Sequence, residues 1–348
     1  MIFPVVLGVR GAVNGVLSGR LTTGLHTGLV EASLRGNTRY YRMLLSSVFA
    51  LSLVSSATIG LIVFSIGNVF YGVPLGDLPF IIYACVTINA LAVFITAPIT
   101  SLLGFLSYRR GMDPDIFVYP ASSTVADILA TVCYVITLSL VFWWGPAGRI
   151  AIALVSYGFC FIALLLTVLF GKEREYWRTI REALMAVFAV GIIEGLSGAV
   201  LSGVKAYIER YPSILVIYPA LIDTVGDAGS IFGSLSTTRL ALGTLDARMG
   251  AIKGGLGELL QVEIAALMMY AIYSGIAFIG EGSEACALAI ILVYLIATLP
   301  IILASFSMAI LTFTRGLDPD NFVIPIEMAF ADSLVTSVLA MLVYLRVV

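Results

Sequence analysis

Runs of twenty or more apolar residues recur along almost the whole chain, with only short charged stretches between them. A helix rises about 1.5 Å per residue, so each run is long enough to cross a hydrocarbon core of roughly 30 Å. Charged residues occupy 11% of the 348 positions, whereas about 25% is usual in a soluble domain. The chain is therefore predicted to be an all-α, polytopic membrane protein without a soluble domain.

The apolar runs between charged breaks predict ten transmembrane helices. Their ranges are 2–25, 43–67, 79–108, 115–144, 150–171, 182–208, 214–245, 258–280, 286–314 and 320–346. The first run begins directly after the initial methionine, without the basic start or the small-residue cleavage site of a secretory signal. We therefore expect the first helix to remain in the mature protein.

The basic residues are distributed unevenly between the two sides on which alternate loops lie. One side collects Arg35, Arg39, Arg42, Arg109, Arg110, Lys172, Arg174, Arg178, Arg181, Arg248, Lys253 and Arg315. The other side has Arg149, Lys205, Arg210 and Arg346. The positive-inside rule then predicts a multi-pass protein of the plasma membrane with both termini extracytoplasmic.

Two twenty-residue stretches are nearly the same. Residues 110–129 are RGMDPDIFVYPASSTVADIL, and residues 315–334 are RGLDPDNFVIPIEMAFADSL. They align without a gap at an offset of 205 residues, and shared hydrophobicity alone would not produce this match. The chain is therefore predicted to contain a tandem duplication.

A weaker match pairs Pro4 and Gly11 with Pro219 and Gly226. With this alignment the second copy has five helices, but the first has four, because the partner of helix 182–208 would lie before the first residue. Either that helix was lost or the true start of the chain lies upstream.

Three regions follow from this alignment: a first repeat at 1–145, a linking transmembrane helix at 146–176 and a second repeat at 177–348. A unit of five transmembrane helices ends on the opposite side of the membrane from where it begins. The linking helix adds one more crossing and returns the chain to the first side. The repeats are therefore expected to be parallel and related by a pseudo-twofold axis along the membrane normal. A pathway on that axis would receive one equivalent side chain from each repeat.

Each repeat carries aspartates at two depths. Asp113 and Asp318 precede a proline at a helix start, which is typical of an N-cap with proline at the first helical position. Asp127 and Asp332 follow fourteen residues later, roughly 21 Å into the helix at about 1.5 Å per residue. A carboxylate at that depth is costly unless it is paired, protonated or hydrated. A buried ion pair with an arginine is one explanation. However, the deep aspartate recurs in both repeats, and this recurrence favours a shared ion site.

Oxygen-bearing side chains precede both deep aspartates. In the first copy Ser122, Ser123 and Thr124 could supply oxygen ligands, or they could bond back to their own helix. In the second copy Glu327 lies in the corresponding stretch. The two copies are therefore expected to differ in their ion chemistry.

The helix at 214–245 carries two more acids, Asp223 and Asp227, one turn apart and followed by small residues. The first copy has Gly8 and Ala12 at these places. Whatever this helix face binds is therefore not bound symmetrically.

Three other polar residues lie in or near the predicted spans. Glu194 is an intramembrane acid without a partner visible in the sequence, and Asn89 is an amide at similar depth. The single histidine, His26, lies alone near a helix end, where an interfacial position is expected rather than a role as a ligand.

The segments around Asp227 resemble a known family. Pro219, the stretch GDAGS at 226–230 and the stretch RLALG at 239–243 are similar to the second transmembrane helix of the MgtE magnesium transporters. In that family an asparagine stands in place of Asp227. The Asp-Pro cap, a hydroxyl pair and an aspartate fourteen residues after the cap likewise resemble the family's fifth helix.

The resemblance implies specific roles for individual residues. That fifth helix carries the family's pore metal-binding aspartate, which corresponds to Asp127 and Asp332 here. Ser123 and Thr124 match the hydroxyl pair, and residues 328–329 (Met-Ala) do not. The resemblance implies Mg²⁺ as the transported ion. Asp223, Asp227 and Glu327 join the candidate metal site because they are acids within apolar segments, not because the family carries them.

The resemblance further implies how the halves work together. In the family two five-helix chains form a pore at their interface, whereas here both halves are fused, as in the related eukaryotic solute-carrier magnesium transporters. A single-chain pseudo-dimer is therefore expected, with its pathway between the repeats and lined by Asp127 and Asp332. Its partners would be a divalent cation and the lipid bilayer, and no nucleic acid.

The chemistry of the residues is consistent with Mg²⁺. This ion takes oxygen ligands in near-octahedral geometry and is usually held by one or two carboxylates with several waters retained. Zinc, copper and nickel favour imidazole or thiolate ligands, and the chain has one histidine and four scattered cysteines.

Other functions remain open at this stage. Glu194, Asp223 and Glu327 could bind Na⁺ or a proton in a coupled exchanger, another divalent ion could be transported, or the chain could be a membrane scaffold. A more distant alternative is an intramembrane aspartyl protease, whose Pro-Ala-Leu and Gly-x-Gly-Asp motifs are partly matched near Asp227. Thr224 replaces the first glycine, and Pro-Ala-Leu precedes the aspartate within one helix. We therefore predict that the chain is not an enzyme.

Overall fold

The computed structural model describes residues 2–208 and 211–345, and within these ranges every regular element is a helix. The ten α-helices are α1 (Ile2–His26), α2 (Arg39–Tyr71), α3 (Leu78–Arg109), α4 (Pro114–Trp144), α5 (Pro146–Phe170), α6 (Arg174–Ile208), α7 (Pro212–Ala241), α8 (Leu256–Glu281), α9 (Glu284–Thr314) and α10 (Val323–Tyr344). Three short 3₁₀ helices cover Leu75–Asp77, Met249–Gly255 and Pro319–Asn321. The all-α prediction is confirmed for these residues.

Among residues 2–208 and 211–345, seven helices are long and apolar enough to cross a membrane: α2, α3, α4, α5, α8, α9 and α10. This confirms a polytopic membrane protein. Ten crossings, the positions of the termini and the parallel arrangement of the repeats stay predictions. Arg210 and Arg346, two of the basic residues counted on the second side, lie outside the described residues.

The aspartates of the two Asp-Pro motifs are helix N-caps, as predicted, but one precedes an α-helix and the other precedes a 3₁₀ helix. The Asp113 carboxylate accepts the Asp115 amide N–H at 3.0 Å, and α4 begins directly at Pro114. The Asp318 carboxylate accepts the Asp320 amide N–H at 3.2 Å, but a 3₁₀ turn follows and α10 begins only at Val323. The prediction of a continuous helix from cap to deep aspartate is therefore wrong for the second copy. Asparagine at 321, which favours turns over helix interiors, replaces an isoleucine of the first copy.

The chain divides into two compact units, unit 1 at 1–191 and unit 2 at 192–348. Within unit 1, α1 packs on α2, α3 and α4, and α3 packs on α2 and α4. Within unit 2, α7 packs on α8, α9 and α10, and α9 packs on α8 and α10. The same helix pairs, taken in chain order, therefore pack in each unit. In unit 1, α5 adds contacts with α2, α3 and α4.

Small residues bring α7 close to α10 in unit 2. A Cβ atom added at Gly226 would lie 2.6 Å from the sulfur of Met328, and one at Gly229 would overlap the Glu327 carboxylate. One added at Gly233 would overlap the hydroxyl of Ser305 on α9. Glycine is the residue that permits this approach. The stripe of small residues predicted on this helix therefore positions Glu327 against α7.

Candidate metal centre

The deep aspartate of unit 1 is paired with an arginine. Nη2 of Arg10 on α1 bonds to Oδ1 of Asp127 on α4. Arg10 is 6% exposed, whereas the Asp127 side chain is 41% exposed. The ion pair with an arginine that was considered for these aspartates is therefore present in unit 1, with its arginine buried and its aspartate partly exposed.

A polar network continues from this ion pair along α1. Nδ2 of Asn14 donates to the Ser122 hydroxyl at 3.0 Å, and the Thr100 hydroxyl donates to Oδ1 of Asn14 at 2.9 Å. Ser18 contacts the same Ser122 hydroxyl at 3.4 Å. These buried side chains join α1, the helix that carries Arg10, to α3 and α4.

The remaining guanidinium atoms of Arg10 face a small cavity. Nε and Nη1 are buried and have no hydrogen-bond partner in the described part of the chain. The cavity has a volume of about 10 Å³ and is also lined by Asn14, Asn89, Ser52 and Thr96. About 10–15 Å³ is needed to hold one water. Val13, Leu17, Val48 and Val93 complete its walls. The space beside Arg10 therefore has polar and apolar walls and is at the lower limit of size for a single water.

The hydroxyl pair of unit 1 bonds to its own helix. The Ser123 hydroxyl donates to the Pro120 carbonyl at 3.0 Å, and that of Thr124 donates to the same carbonyl at 3.1 Å. Proline at 120 interrupts the regular hydrogen bonding of α4. These hydroxyls therefore bond back to their own helix, which is one of the two roles considered for them. Their role as ion ligands stays a prediction.

Glu327 is the least exposed of the acids that the structure describes in unit 2. It is 3% exposed, lies on α10 against Gly229 of α7, and interacts electrostatically with Asp227. No group among residues 2–208 and 211–345 donates a hydrogen bond to either of its carboxylate oxygens. A buried carboxylate without a donor is costly. Glu327 therefore needs a proton or a cation beside it.

The deep aspartate of unit 2 lies among other acids. The Asp332 carboxyl group meets that of Glu194 on α6 and also interacts electrostatically with Asp223 and Glu327. Its buried Oδ1 has no hydrogen-bond partner in the described part of the chain. The structure therefore brings Asp223, Asp227, Glu327 and Asp332 into one acidic cluster and adds Glu194, which the sequence left without a partner.

Hydroxyl groups border this acidic cluster. The Thr336 hydroxyl oxygen lies 2.6 Å from the Tyr218 hydroxyl and 3.3 Å from the Ser197 hydroxyl. Tyr218 also interacts electrostatically with Glu194 and Asp332. Carboxylate and hydroxyl oxygens are hard ligands of the type that Mg²⁺ prefers. The donor set of unit 2 therefore fits a hard divalent cation.

The arginine of unit 1 has no counterpart in unit 2. The alignment that pairs Gly8 with Asp223 and Ala12 with Asp227 places Val225 opposite Arg10, and Val225 is completely buried. Glu194 lies on α6, the helix without a partner in the first copy. The two deep aspartates thus occupy equivalent sequence positions in different electrostatic surroundings.

A second group of potential ligands lies where α1 ends and α4 begins. His26 Nε2 is 3.2 Å from Oδ1 of Asp113 and 3.5 Å from Oδ2 of Asp115. The hydrogen bond to Asp113 raises the pKa of His26 above its ordinary value, while burial opposes the shift. His26 is therefore not isolated, because the fold places it against two carboxylates. Its interfacial position stays a prediction.

Sequence reasoning did not pair Arg10 with Asp127, although a signal was present. Arg10 lies sixteen residues before His26, and Asp127 lies fourteen residues after Asp113. At about 1.5 Å per residue these separations are roughly 24 and 21 Å. Since His26 and Asp113 meet at one end of the two helices, their charged residues lie at nearly the same depth.

Comparison with known proteins gives one match. The family model MgtE, described as a divalent cation transporter, matches residues 3–137 and 218–342. No curated protein and no solved structure matches the chain. The two matched regions cover more than half of the chain, and each contains one deep aspartate.

Proposed function

Because the chain belongs to the MgtE family of divalent cation transporters, we propose that it carries Mg²⁺ across the membrane and that carboxylates of unit 2 hold the ion. The family matches twice in tandem, and it is a transporter family rather than an enzyme family. The aspartyl-protease alternative is therefore set aside.

The observation that carries this proposal is the environment of Glu327. Its two oxygens are buried without a hydrogen-bond donor, and further acids lie around it instead of a described basic partner. Several carboxylates that repel one another are stabilised together by a divalent cation. Glu327 and Asp332 are the proposed principal ligands, and Asp223, Asp227 and Glu194 contribute further negative charge or water-mediated contacts.

Asp127 has a different proposed role. Its carboxylate is bonded to Arg10, so it can bind an ion only when the guanidinium releases it. Ser123 and Thr124 lie within one turn of it and remain candidate oxygen ligands in that released state. The double family match supports a single-chain pseudo-dimer, and the asymmetry of basic residues supports an orientation with both termini outside. The proposed location is the plasma membrane.

The test measures Mg²⁺ uptake into proteoliposomes with Glu327→Gln. Glutamine is neutral and nearly the same size, so it mimics a protonated glutamate but cannot hold a cation as strongly. We expect Mg²⁺ flux to fall roughly tenfold or more, because a tenfold change needs only about 1.4 kcal/mol. If a proton alone occupies Glu327, flux is unchanged and the proposed ion site is wrong.

A matched control is available on α8. Glu263→Gln makes the same chemical change at a glutamate that accepts a 2.6 Å hydrogen bond from the Tyr294 hydroxyl. This glutamate lies outside the acidic cluster, and its variant is expected to retain most of the flux. Equal losses in the two variants would contradict the assignment to Glu327.

One observation favours a second candidate, H⁺-coupled cation transport. The carboxyl groups of Glu194 and Asp332 meet directly, and two such groups commonly share one proton. Flux that follows an imposed pH gradient at constant Mg²⁺ would support coupling. Flux that depends only on the Mg²⁺ gradient and the membrane voltage would reject it, and an imposed Na⁺ gradient tests the other coupled alternative in the same assay.

A further inference from the structure

We propose that His26, Asp113 and Asp115 of unit 1 form a separate binding site for a first-row transition metal ion of the Zn²⁺, Mn²⁺ or Co²⁺ class. One ligand atom from each residue lies within 4.8 Å of the other two. The histidine is the last residue of α1, and both aspartates lie at the start of α4, 87 residues from it along the chain.

The distances suit a single shared ion. Ligand atoms about 2.0–2.2 Å from a tetrahedral Zn²⁺ lie about 3.3–3.6 Å from one another. Nε2 of His26 is 3.2 and 3.5 Å from the nearest oxygens of the two aspartates. One ion could therefore contact all three side chains after small adjustments.

The ligand types indicate which metal would bind. Imidazole is a good ligand for zinc and its neighbours in the first transition row, whereas Mg²⁺ favours sites made of oxygen atoms alone. The acidic cluster of unit 2 offers carboxylates and hydroxyls, and the group at His26 adds a nitrogen. The two places are therefore expected to prefer different ions.

Burial indicates that these side chains form a built group rather than a chance surface contact. The Asp115 side chain is 1% exposed, while His26 and Asp113 are 24% and 37% exposed. The Asp113 carboxylate also accepts the Asp115 amide N–H, which fixes its direction. The group thus combines one enclosed ligand with two that an ion can reach from solvent.

A comparison with the second copy shows which of these residues helix capping explains and which it does not. Asp318 and Asp320 repeat the two aspartates, and Asp318 makes the same capping hydrogen bond. The alignment that pairs Arg20 with Arg239 places Leu245 opposite His26. Helix capping therefore accounts for the aspartates in both copies, and only the first copy adds an imidazole to them.

A bound ion at this site would hold α1 to α4. The same two helices are also joined by the ion pair between Arg10 of α1 and Asp127 of α4. Occupancy would therefore restrain the helix pair whose separation releases Asp127, which gives the site a regulatory role.

The test uses the fact that the chain contains a single histidine. The full chain, purified in nanodiscs with a tag that lacks histidine and labelled with ¹³C-histidine, gives one imidazole signal. Stoichiometric Zn²⁺ is expected to shift this signal, Mn²⁺ is expected to broaden it, and an excess of Mg²⁺ is expected to leave it in place. An unchanged signal in excess Zn²⁺ and Mn²⁺ would overturn the proposal, and an equal shift with Mg²⁺ would overturn the assigned class of metal.

Two matched variants complete the test. Asp115→Asn is expected to weaken the Zn²⁺-induced shift at least roughly tenfold in metal concentration, because it removes the enclosed ligand. Asp320→Asn, the same change at the equivalent position of unit 2, is expected to have no effect on it. If the shift persists unweakened in Asp115→Asn, the imidazole binds metal by itself and the three-ligand site is wrong. Circular dichroism shows whether each variant is folded.

Discussion

The deep aspartates of the two units show how one duplicated position can be charge-balanced in two ways. In unit 1 Asp127 is bonded to Arg10, and the protein supplies the positive charge itself. In unit 2 Asp332 lies with Glu194, Asp223 and Glu327, so its environment is acidic. An ion pair balances its own charge within the helix bundle, whereas a group of neighbouring carboxylates is stabilised when a cation binds. Equivalent sequence positions therefore do not imply equivalent chemistry.

This difference has an energetic consequence. Removing one partner of a buried ion pair leaves a charge that costs about 3–5 kcal/mol, although solvent contact reduces the cost. Acids that repel one another instead store unfavourable energy that a divalent cation relieves. Unit 1 is thus expected to depend on its own arginine, and unit 2 on its ion.

The largest expected effect compares the same substitution at the two aspartates. Asp332→Asn is expected to lower Mg²⁺ flux roughly 100-fold, since even partners outside the first shell of a metal site are worth about 10–100-fold. Asp127→Asn is expected to cost less than about tenfold, because Arg10 already occupies the carboxylate. Uptake into proteoliposomes under the same Mg²⁺ gradient measures both. Equal losses would show that the two halves contribute equally and that Arg10 does not keep Asp127 from the ion.

The next effect concerns the stability of unit 1. Arg10→Met removes the counter-ion of Asp127, and because the Asp127 side chain is 41% exposed, we expect a loss of about 2 kcal/mol rather than the full buried cost. Denaturant titration of the purified protein measures this loss. Adding Asp127→Asn to the same chain removes the uncompensated charge and is expected to recover part of it. Strictly additive losses would mean that the ion pair does not stabilise the unit.

The smallest expected effect sharpens the description of unit 2. A Cβ atom at Gly229 would overlap the Glu327 carboxylate and lie 2.6 Å from a methyl group of Ile301. Because the overlapped carboxylate is the end of a side chain that can shift, Gly229→Ala is expected to destabilise the fold by about 1 kcal/mol and to weaken Mg²⁺ affinity by displacing Glu327. Gly275→Ala is the control, because a Cβ atom there meets nothing within 4 Å. Unchanged Mg²⁺ affinity in Gly229→Ala would show that the position of Glu327 does not matter for ion binding.

The sequence predicted the elements well because their signals are local. Apolar runs gave ten helices close to their observed limits, and the Asp-Pro motifs gave the caps at Asp113 and Asp318. The break before α10 was missed because a helix and a 3₁₀ turn share the same apolar pattern over a few residues. The tandem match to one family agrees with the duplication that was read from residues 110–129 and 315–334.

What the sequence by itself determined was therefore the membrane class, the helix order, the duplication and the presence of acids at depth. Only the tertiary structure decided which side chains meet: Arg10 with Asp127, Glu194 with Asp332, and His26 with Asp113. These partners are more than 80 residues apart along the chain. Helix periodicity places a residue at a depth and on a face, but the rotation of each helix, set by packing, selects its neighbour.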